Sequence, residues 1–266
     1  MKTLFLRHDY KDTAAKLVGQ FPDPSHADLI LDTDARVVAP DGRIVAVLLC
    51  DVIPPELHQL AYELLRLVTG NVSNRISASG TRSLTRSLNK DGVPSPRSGV
   101  NVNVLKLLDA RQGILGFLDR PCHETTLTKD RREMLDGNRQ LIELVDALYA
   151  RFVPDRYAIQ RREVERAGPS WRFWNTVFTT AYVAKSYRTA YHRDRGNLLG
   201  VMTALVPMGE FTDGGLVLPR YRIAIAFKPG DLLLFDPQEV HGNLPFTGKR
   251  LSLALYCARC IADCGK

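Results

Sequence analysis

From Trp174 to Cys257 the chain breaks into short apolar runs separated by turn residues, and this restricts the second half of the molecule to packed β-strands. Val177 to Val183 is β-rich, Leu198 to Val206 is an apolar run, and Gly215 to Leu218 leads into Pro219. Arg222 to Phe227 and Asp231 to Phe235 flank Lys228-Pro229-Gly230, which reads as a hairpin turn; Leu251 to Cys257 is the last strand. Strands this short bury enough surface only when they close into a sandwich or barrel. The pattern predicts an α+β fold: a double-stranded β-helix (jelly-roll-like) core with flanking helices.

The first half supplies the buttress. Residues 28–50 read as a hairpin around Pro40-Asp41-Gly42, where Pro fixes φ and Gly accepts φ > 0. Pro55 to Thr69 reads as a helix, with Leu57, Leu60, Ala61 and Leu64 on one face and Gly70 ending it. Residues 113–130 read as a strand, a turn and a second strand-like piece. A helix over about 131–152 carries Leu141, Leu144, Val145, Leu148 and Phe152 as its apolar stripe, and Pro154 is expected to stop it. The expected organisation is one domain over 1–266: a helical and hairpin buttress with a basic loop over 1–170, and a metal-binding β core over 171–260.

Residues 71–101 differ from both halves. Arg75, Arg82, Arg86, Lys90 and Arg97 stand against the single acid Asp91. The stretch reads either as a solvated loop or as one that contacts phosphate. The net charge of +7 points the same way, toward a polyanionic partner. No run approaches the length of a membrane span, and Met1 to Tyr10 lacks the apolar region of a signal peptide. The cysteine count is odd, 5, which argues against a disulfide framework and for a reducing compartment, cytoplasm or nucleoid. Cys257, Cys260 and Cys264 lack a fourth ligand for zinc and read as free thiols.

Within the β-rich half, His192 and Asp194 are two residues apart. In an extended segment such residues face one side, so both can reach one ion, while Arg193 points away. His241 follows the buried-strand signature Gly230-Asp231-Leu232-Leu233-Leu234-Phe235. Two imidazoles and a carboxylate are the facial triad of non-haem Fe(II) oxygenases, with positions left for substrate and O2. Downstream, Arg250 and Ser252 alternate onto one face and suit the distal carboxylate of 2-oxoglutarate, by a charge-assisted pair and a hydroxyl. A cupin-like metal site or structural histidines are the competing readings.

These residues carry a resemblance to the TET/JBP group of nucleic-acid dioxygenases. His192-Arg193-Asp194-Arg195-Gly196-Asn197 resembles its H-x-D-x-x-N signature, and Arg250-Leu251-Ser252-Leu253-Ala254-Leu255-Tyr256 its R-x-S-x-x-x-Y final strand. Gly214-Gly215 through Pro219 resembles the piece between the metal ligands, and the segments around Gly116 and Thr125 resemble those of microbial and fungal members. The resemblance is strong over 174–259, weaker over 71–130, and none is seen before residue 70. It implies Fe(II), 2-oxoglutarate and O2 as cofactors and oxidation of a pyrimidine 5-methyl group in DNA: 5-methylcytosine to 5-hydroxymethylcytosine, or thymine. It further implies a base flipped out of the duplex and contacted by Asn197 and Tyr256, while Arg75 and Arg97 remain candidates for the DNA backbone. Where animal members continue Y-x-H-K, this chain has Tyr256-Cys257-Ala258-Arg259, so the base-reading His is absent and the choice of base stays open. His123 is one candidate for its replacement. Two alternatives stand beside this reading: a 2-oxoglutarate-dependent hydroxylase of a small molecule or protein side chain, and a non-catalytic nucleic-acid-binding fold with a vestigial triad.

Overall fold

The computed structural model describes residues 1–67 and 111–266, together with the backbone of 84–88 and 94–101. Numbered in chain order, the larger sheet among the described residues has 9 strands. In space they run β1 (Lys2–Phe5), β3 (Ala35–Val38), β4 (Ile44–Leu49), β13 (Leu232–Phe235), β10 (Thr203–Asp213), β15 (Phe246–Tyr256), β9 (Thr180–Lys185), β7 (Arg111–Asp119) and β8 (Cys122–Glu124). A 4-stranded sheet faces it, in the order β14 (Gly242–Asn243), β11 (Leu216–Leu218), β12 (Ile223–Ile225) and β2 (Leu29–Leu31). An isolated antiparallel bridge between His192 and His241 adjoins β14 and prolongs this smaller sheet. The fold is the expected double-stranded β-helix, and residues before 170 extend its larger sheet on both sides.

The packing explains why the central strands read as unbroken apolar runs. The larger sheet is covered on both faces, so both sets of alternating side chains are buried. Leu232, Leu234, Leu251, Leu253 and Leu255 face the helices and pack with Leu141, Ile142, Val145 and Tyr149. Leu233, Phe235 and Leu205 face the smaller sheet and pack with Leu216, Leu218, Ile223 and Ile225. Arg250, Ser252 and Ala254 alternate with the helix-facing leucines, so they look into the space between the sheets.

The helices on the outer face of the larger sheet are α2 (Pro55–Leu65), α3 (Thr126–Asp130), α4 (Arg132–Asp136), α5 (Arg139–Phe152) and α6 (Pro154–Ala167), while α1 (Lys11–Lys16) packs Ala14 against Val217 and Ala224 of the smaller sheet. The single helix expected over 131–152 is thus divided into α4 and α5. Pro154 does stop α5, but it also opens α6, because the first helical position needs no N–H donor and accepts the φ that Pro imposes. The Lys228-Pro229-Gly230 hairpin is corrected as well. β12 lies in the smaller sheet and β13 in the larger, so the turn carries the chain between layers. Asp231 shapes that crossing by accepting from Lys228 N at 2.8 Å and Asp51 N at 2.9 Å.

The cysteine reading also changes. Cys122 and Cys264 form a disulfide across a sequence separation of 142, tying the C-terminal turn to β8. Free cysteines are Cys50, Cys257 and Cys260. A count of 5 still left room for two pairs, and sequence spacing does not reveal which thiols the sheet edge brings together. Within the stretch read as a basic loop, β5 (Leu84–Leu88) and β6 (Pro94–Asn101) pair as an antiparallel hairpin. No helix among the described residues is long and apolar enough to cross a membrane.

Candidate metal centre and co-substrate pocket

His192 and His241 are held by their own backbones. His192 N donates to His241 O at 2.9 Å, and His241 N returns the bond to His192 O at 3.0 Å. Residues paired in this way project on the same side, and the ring centroids stand 4.3 Å apart. Asp194 reaches the same point, with Oδ1 3.5 Å from His192 Nε2 and Oδ2 3.7 Å from His241 Nε2. One ligand atom from each residue lies within 4.8 Å of the others. Donors about 2.1 Å from one ion and at right angles to each other lie about 3 Å apart, so a small contraction closes the set on a metal.

The protonation pattern suits a metal. His192 Nδ1 donates to Ala190 O at 2.8 Å and His241 Nδ1 to Glu239 O at 2.9 Å. A carbonyl can only accept, so Nδ1 carries the proton in each neutral ring, and Nε2, turned toward Asp194, is the nitrogen left to ligate. Two neutral imidazoles and one carboxylate on a single face fit a divalent ion that keeps further positions open. Phe235 packs edge-on against His241 at 4.8 Å and fixes the plane of its ring.

A four-residue segment, Asp236 to Glu239, orients two of the three ligands. Pro237 O accepts Asp194 N at 2.9 Å, Gln238 Nε2 donates to Asp194 O at 3.0 Å, and Glu239 O receives the His241 ring proton. The segment is pinned by buried carboxylates. Asp236 takes Arg43 at 3.2 Å and Arg156 at 3.0 Å, while Glu239 takes Arg220 at 2.9 Å and the Tyr221 hydroxyl at 2.9 Å. Burial, with the Glu239 charge beside it, pushes the Tyr221 phenol up, so it remains a donor. Gln238→Leu removes the amide that fixes the Asp194 backbone. Fe(II) or Co(II) affinity is expected to fall about tenfold to a hundredfold with little change in fold stability, as metal titration would measure.

Arg250 lies in the same cavity. It is 3% exposed, and the rings of Phe227, Phe211 and Phe246 surround its guanidinium at 4.9, 5.4 and 5.4 Å. Its Nε donates to Ser252 Oγ at 3.1 Å and its Nη1 to Gly214 O at 2.7 Å. Neither partner is an acid, and burial alone pulls its pKa down to about 9, still charged at neutral pH. A buried cation in that condition is a built receptor for a carboxylate. Ser252 accepts from Arg250 and so keeps its own hydroxyl proton for the same anion. The cavity is lined by His192, Asp194, His241, Arg250 and Ser252, with Tyr182, Tyr187, Leu205, Phe235 and Asn243 among its other walls.

Gly214 makes room for this arrangement. It sits at φ +76, and a Cβ there would stand 2.6 Å from Arg250 Nη1 and 2.8 Å from Phe246 Cβ. Gly214→Ala is expected to push the guanidinium aside and weaken 2-oxoglutarate binding by about tenfold or more, while metal affinity holds. Titration of the keto acid into the Mn(II) protein would measure both.

The other sequence-predicted residues are placed less simply. Tyr256 alternates with Arg250, Ser252 and Ala254 on β15, opposite Thr180 of β9. Asn197 is 4% exposed, and its Nδ2 donates to Thr203 Oγ1 at 2.8 Å. His123 lies on β8, with Nδ1 2.6 Å from Pro121 O, and is not among the cavity walls. Arg97 falls on β6, of which only the backbone is described, and Arg75 lies outside the described residues. Sequence reasoning missed Tyr182, Asn243, Gln238 and Glu239; the last two announce themselves only as the polar tetrapeptide between a buried strand and His241.

A β-helix with a His-Asp-His face and a buried arginine in one cavity defines the class of iron- and keto-acid-dependent oxygenases. Residues 118–259 match a family model, Tet_JBP, described as the oxygenase domain of the 2OGFeDO superfamily, and the chain belongs to that family. Membership implies Fe(II), 2-oxoglutarate and O2. The chain is 35% identical over 162 residues to the bifunctional helicase and thymine dioxygenase JBP2 of Trypanosoma brucei brucei, covering 58% of this chain and 15% of that protein. It is 24% identical over 253 residues to the thymine dioxygenase JBP1 of the same organism, covering 92% of this chain and 27% of that protein. The chain thus spans a minor part of these relatives. In fold it is similar to NgTET1 in complex with 5mC DNA, with a TM-score of 0.58 at 14% identity over 95% of this chain and 92% of that one.

Proposed function

We propose that this domain is an Fe(II)- and 2-oxoglutarate-dependent dioxygenase that hydroxylates the 5-methyl group of a pyrimidine flipped out of DNA, with thymine the first candidate and 5-methylcytosine the second. The observation that carries the reading is that the His192-Asp194-His241 face and the Arg250-Ser252 pair line one cavity. Fe(II), bound with 2-oxoglutarate and O2, supplies an oxidant able to take hydrogen from an unactivated methyl group.

The protein's own part is positional. His192, Asp194 and His241 hold the ion on one face, and Arg250 with Ser252 takes the far carboxylate of the keto acid. Leu205, Leu216 and Phe235 exclude water from the space between. Tyr256 and Asn197 are not among the cavity walls; Tyr256 lies beyond Ala254 on the same face of β15, where its phenol would stack on the base, and Asn197, with Nδ2 spent on Thr203, would offer Oδ1 to a base N–H. Flipping is required because a methyl group inside a duplex cannot reach a cavity enclosed by two sheets. DNA as substrate is supported by the thymine dioxygenase relatives, the net charge of +7, and the basic stretch containing Arg75 and Arg97. On this reading the protein works wherever the cell keeps that DNA, in cytoplasm or nucleoid. The test is mass spectrometry of nucleosides after incubation of DNA carrying thymine and 5-methylcytosine with protein, Fe(II), 2-oxoglutarate and ascorbate. A hydroxymethylated pyrimidine is expected; both methyl bases surviving intact would overturn the reading.

A further inference from the structure

We propose that a basic cavity on the outer face of the larger sheet is a phosphodiester site, holding the backbone of the DNA strand; the inference rests on the function proposed above. The cavity has a volume of about 320 Å³ and is lined by Tyr62, Arg66, Arg111, Lys185 and Lys249, with the Arg250-Leu251 segment of β15 as its floor. No acid is among its described walls.

Its position follows from strand alternation. Arg250 and Ser252 point into the co-substrate cavity, so Lys249 and Leu251 point outward, where Leu251 joins the helix-side core. Lys185 is directly opposite Leu251 on β9, and Arg111 directly opposite Lys185 on β7. Three cations from adjacent strands therefore share one patch of the outer face, and α2 supplies Tyr62 and Arg66 above it. Like charges directly opposite each other on neighbouring strands destabilise a sheet. Glu63 pairs with Arg66 at 2.6 Å and Glu210 stands opposite Lys249 in the β10 register, and neither acid is among the cavity walls. An anion in the cavity would offset the like charges that Arg111 and Lys185 bring side by side.

A phosphodiester is the anion that fits. The cavity opens at the surface, and it offers ammonium, guanidinium and phenol donors, a set suited to phosphate oxygens. It is bounded in sequence by the two ends of the Arg-rich stretch, which begins just after Arg66 and ends before Arg111. Its floor includes Arg250, the residue that receives the co-substrate. An occupied phosphate site would thus sit one strand thickness from the keto-acid pocket, with Arg250 the residue common to both linings.

The test uses Lys185→Gln, Lys249→Gln and the double variant, which remove the charge and leave a polar, somewhat shorter side chain. Affinity for a long methylated duplex is measured across a salt series, alongside turnover of a methylated trinucleotide and the KM for 2-oxoglutarate. The double variant is expected to bind the duplex about tenfold more weakly at moderate salt, with the slope of log affinity against log salt reduced by about one. Trinucleotide turnover and the keto-acid KM should stay at wild-type levels, and Lys185→Arg with Lys249→Arg should restore binding. Unchanged duplex affinity and slope would overturn the proposal and mark a merely solvated basic face. A raised keto-acid KM with unchanged DNA binding would also overturn it, assigning the cavity to co-substrate or free phosphate. If wild-type protein oxidises no pyrimidine yet the double variant still loses its salt slope, the reaction proposed above fails while this site stands.

Discussion

Alanine at His192, Asp194 or His241 is expected to abolish stable Fe(II) binding and to lower 2-oxoglutarate turnover by about a thousandfold or more, the scale on which loss of one member of a cooperating catalytic set is felt. Asp194→Asn is the sharper control. The amide keeps the shape and the backbone bond to Pro237 but gives up the one negative charge in the ligand set, so binding should fail with the fold intact. The backbone exchange between His192 and His241 does not depend on either side chain, so thermal stability should change little in the histidine variants. Metal content after gel filtration, read beside the melting temperature, checks the expectation. Full iron occupancy in the Asp194→Asn protein would remove the triad from the account.

Arg250→Met is expected to separate stability from function. The wild-type guanidinium is buried among three phenylalanine rings and two neutral acceptors, with no acid paired to it among the described residues. Methionine in that box should leave stability unchanged or raise it, because replacing a buried charge by an apolar side chain of similar length is often neutral or favourable. Binding should suffer severely. Truncating one partner of a buried charge pair costs about 2–5 kcal/mol, which corresponds to a rise of about thirtyfold to several thousandfold in the keto-acid Kd. The readout is thermal stabilisation by 2-oxoglutarate: large in the wild-type Mn(II) protein, absent in Arg250→Met. Equal stabilisation of both would show that the carboxylate binds elsewhere.

The grouping of the candidate site residues in one cavity is more legible in the sequence than the layout of the chain. His192-x-Asp194, His241 and Arg250-x-Ser252 are legible because metal and carboxylate binding demand fixed residue types, and strand alternation forces their spacing. Leu232 to Phe235 was legible as a buried strand because both faces are covered. What escaped were features set by partners distant in sequence. The turn at Lys228 to Gly230 has the composition of a hairpin, yet its flanking strands pair with β11 and with β4 and β10, which turn chemistry does not specify. Pro154 ends one helix and begins another with the same ring, and only the packing of α6 decides that a second helix follows. Cys122 and Cys264 meet because β8 and the C-terminus share an edge of the fold. The orienting roles of Pro237 and Glu239 rest on backbone carbonyls, which carry no residue signature.

The central claim is that one cavity couples the keto acid to a pyrimidine methyl group. The most direct measurement is the succinate formed from 2-oxoglutarate beside the hydroxymethyl base formed in the same reaction, using DNA with methylated pyrimidines and matched DNA in which uracil and cytosine replace them. The account predicts equal amounts of succinate and hydroxymethyl base with the methylated DNA, and only slow, uncoupled succinate formation with the matched control. Succinate formation that is indifferent to the methyl group, with no oxidised base recovered, would contradict it.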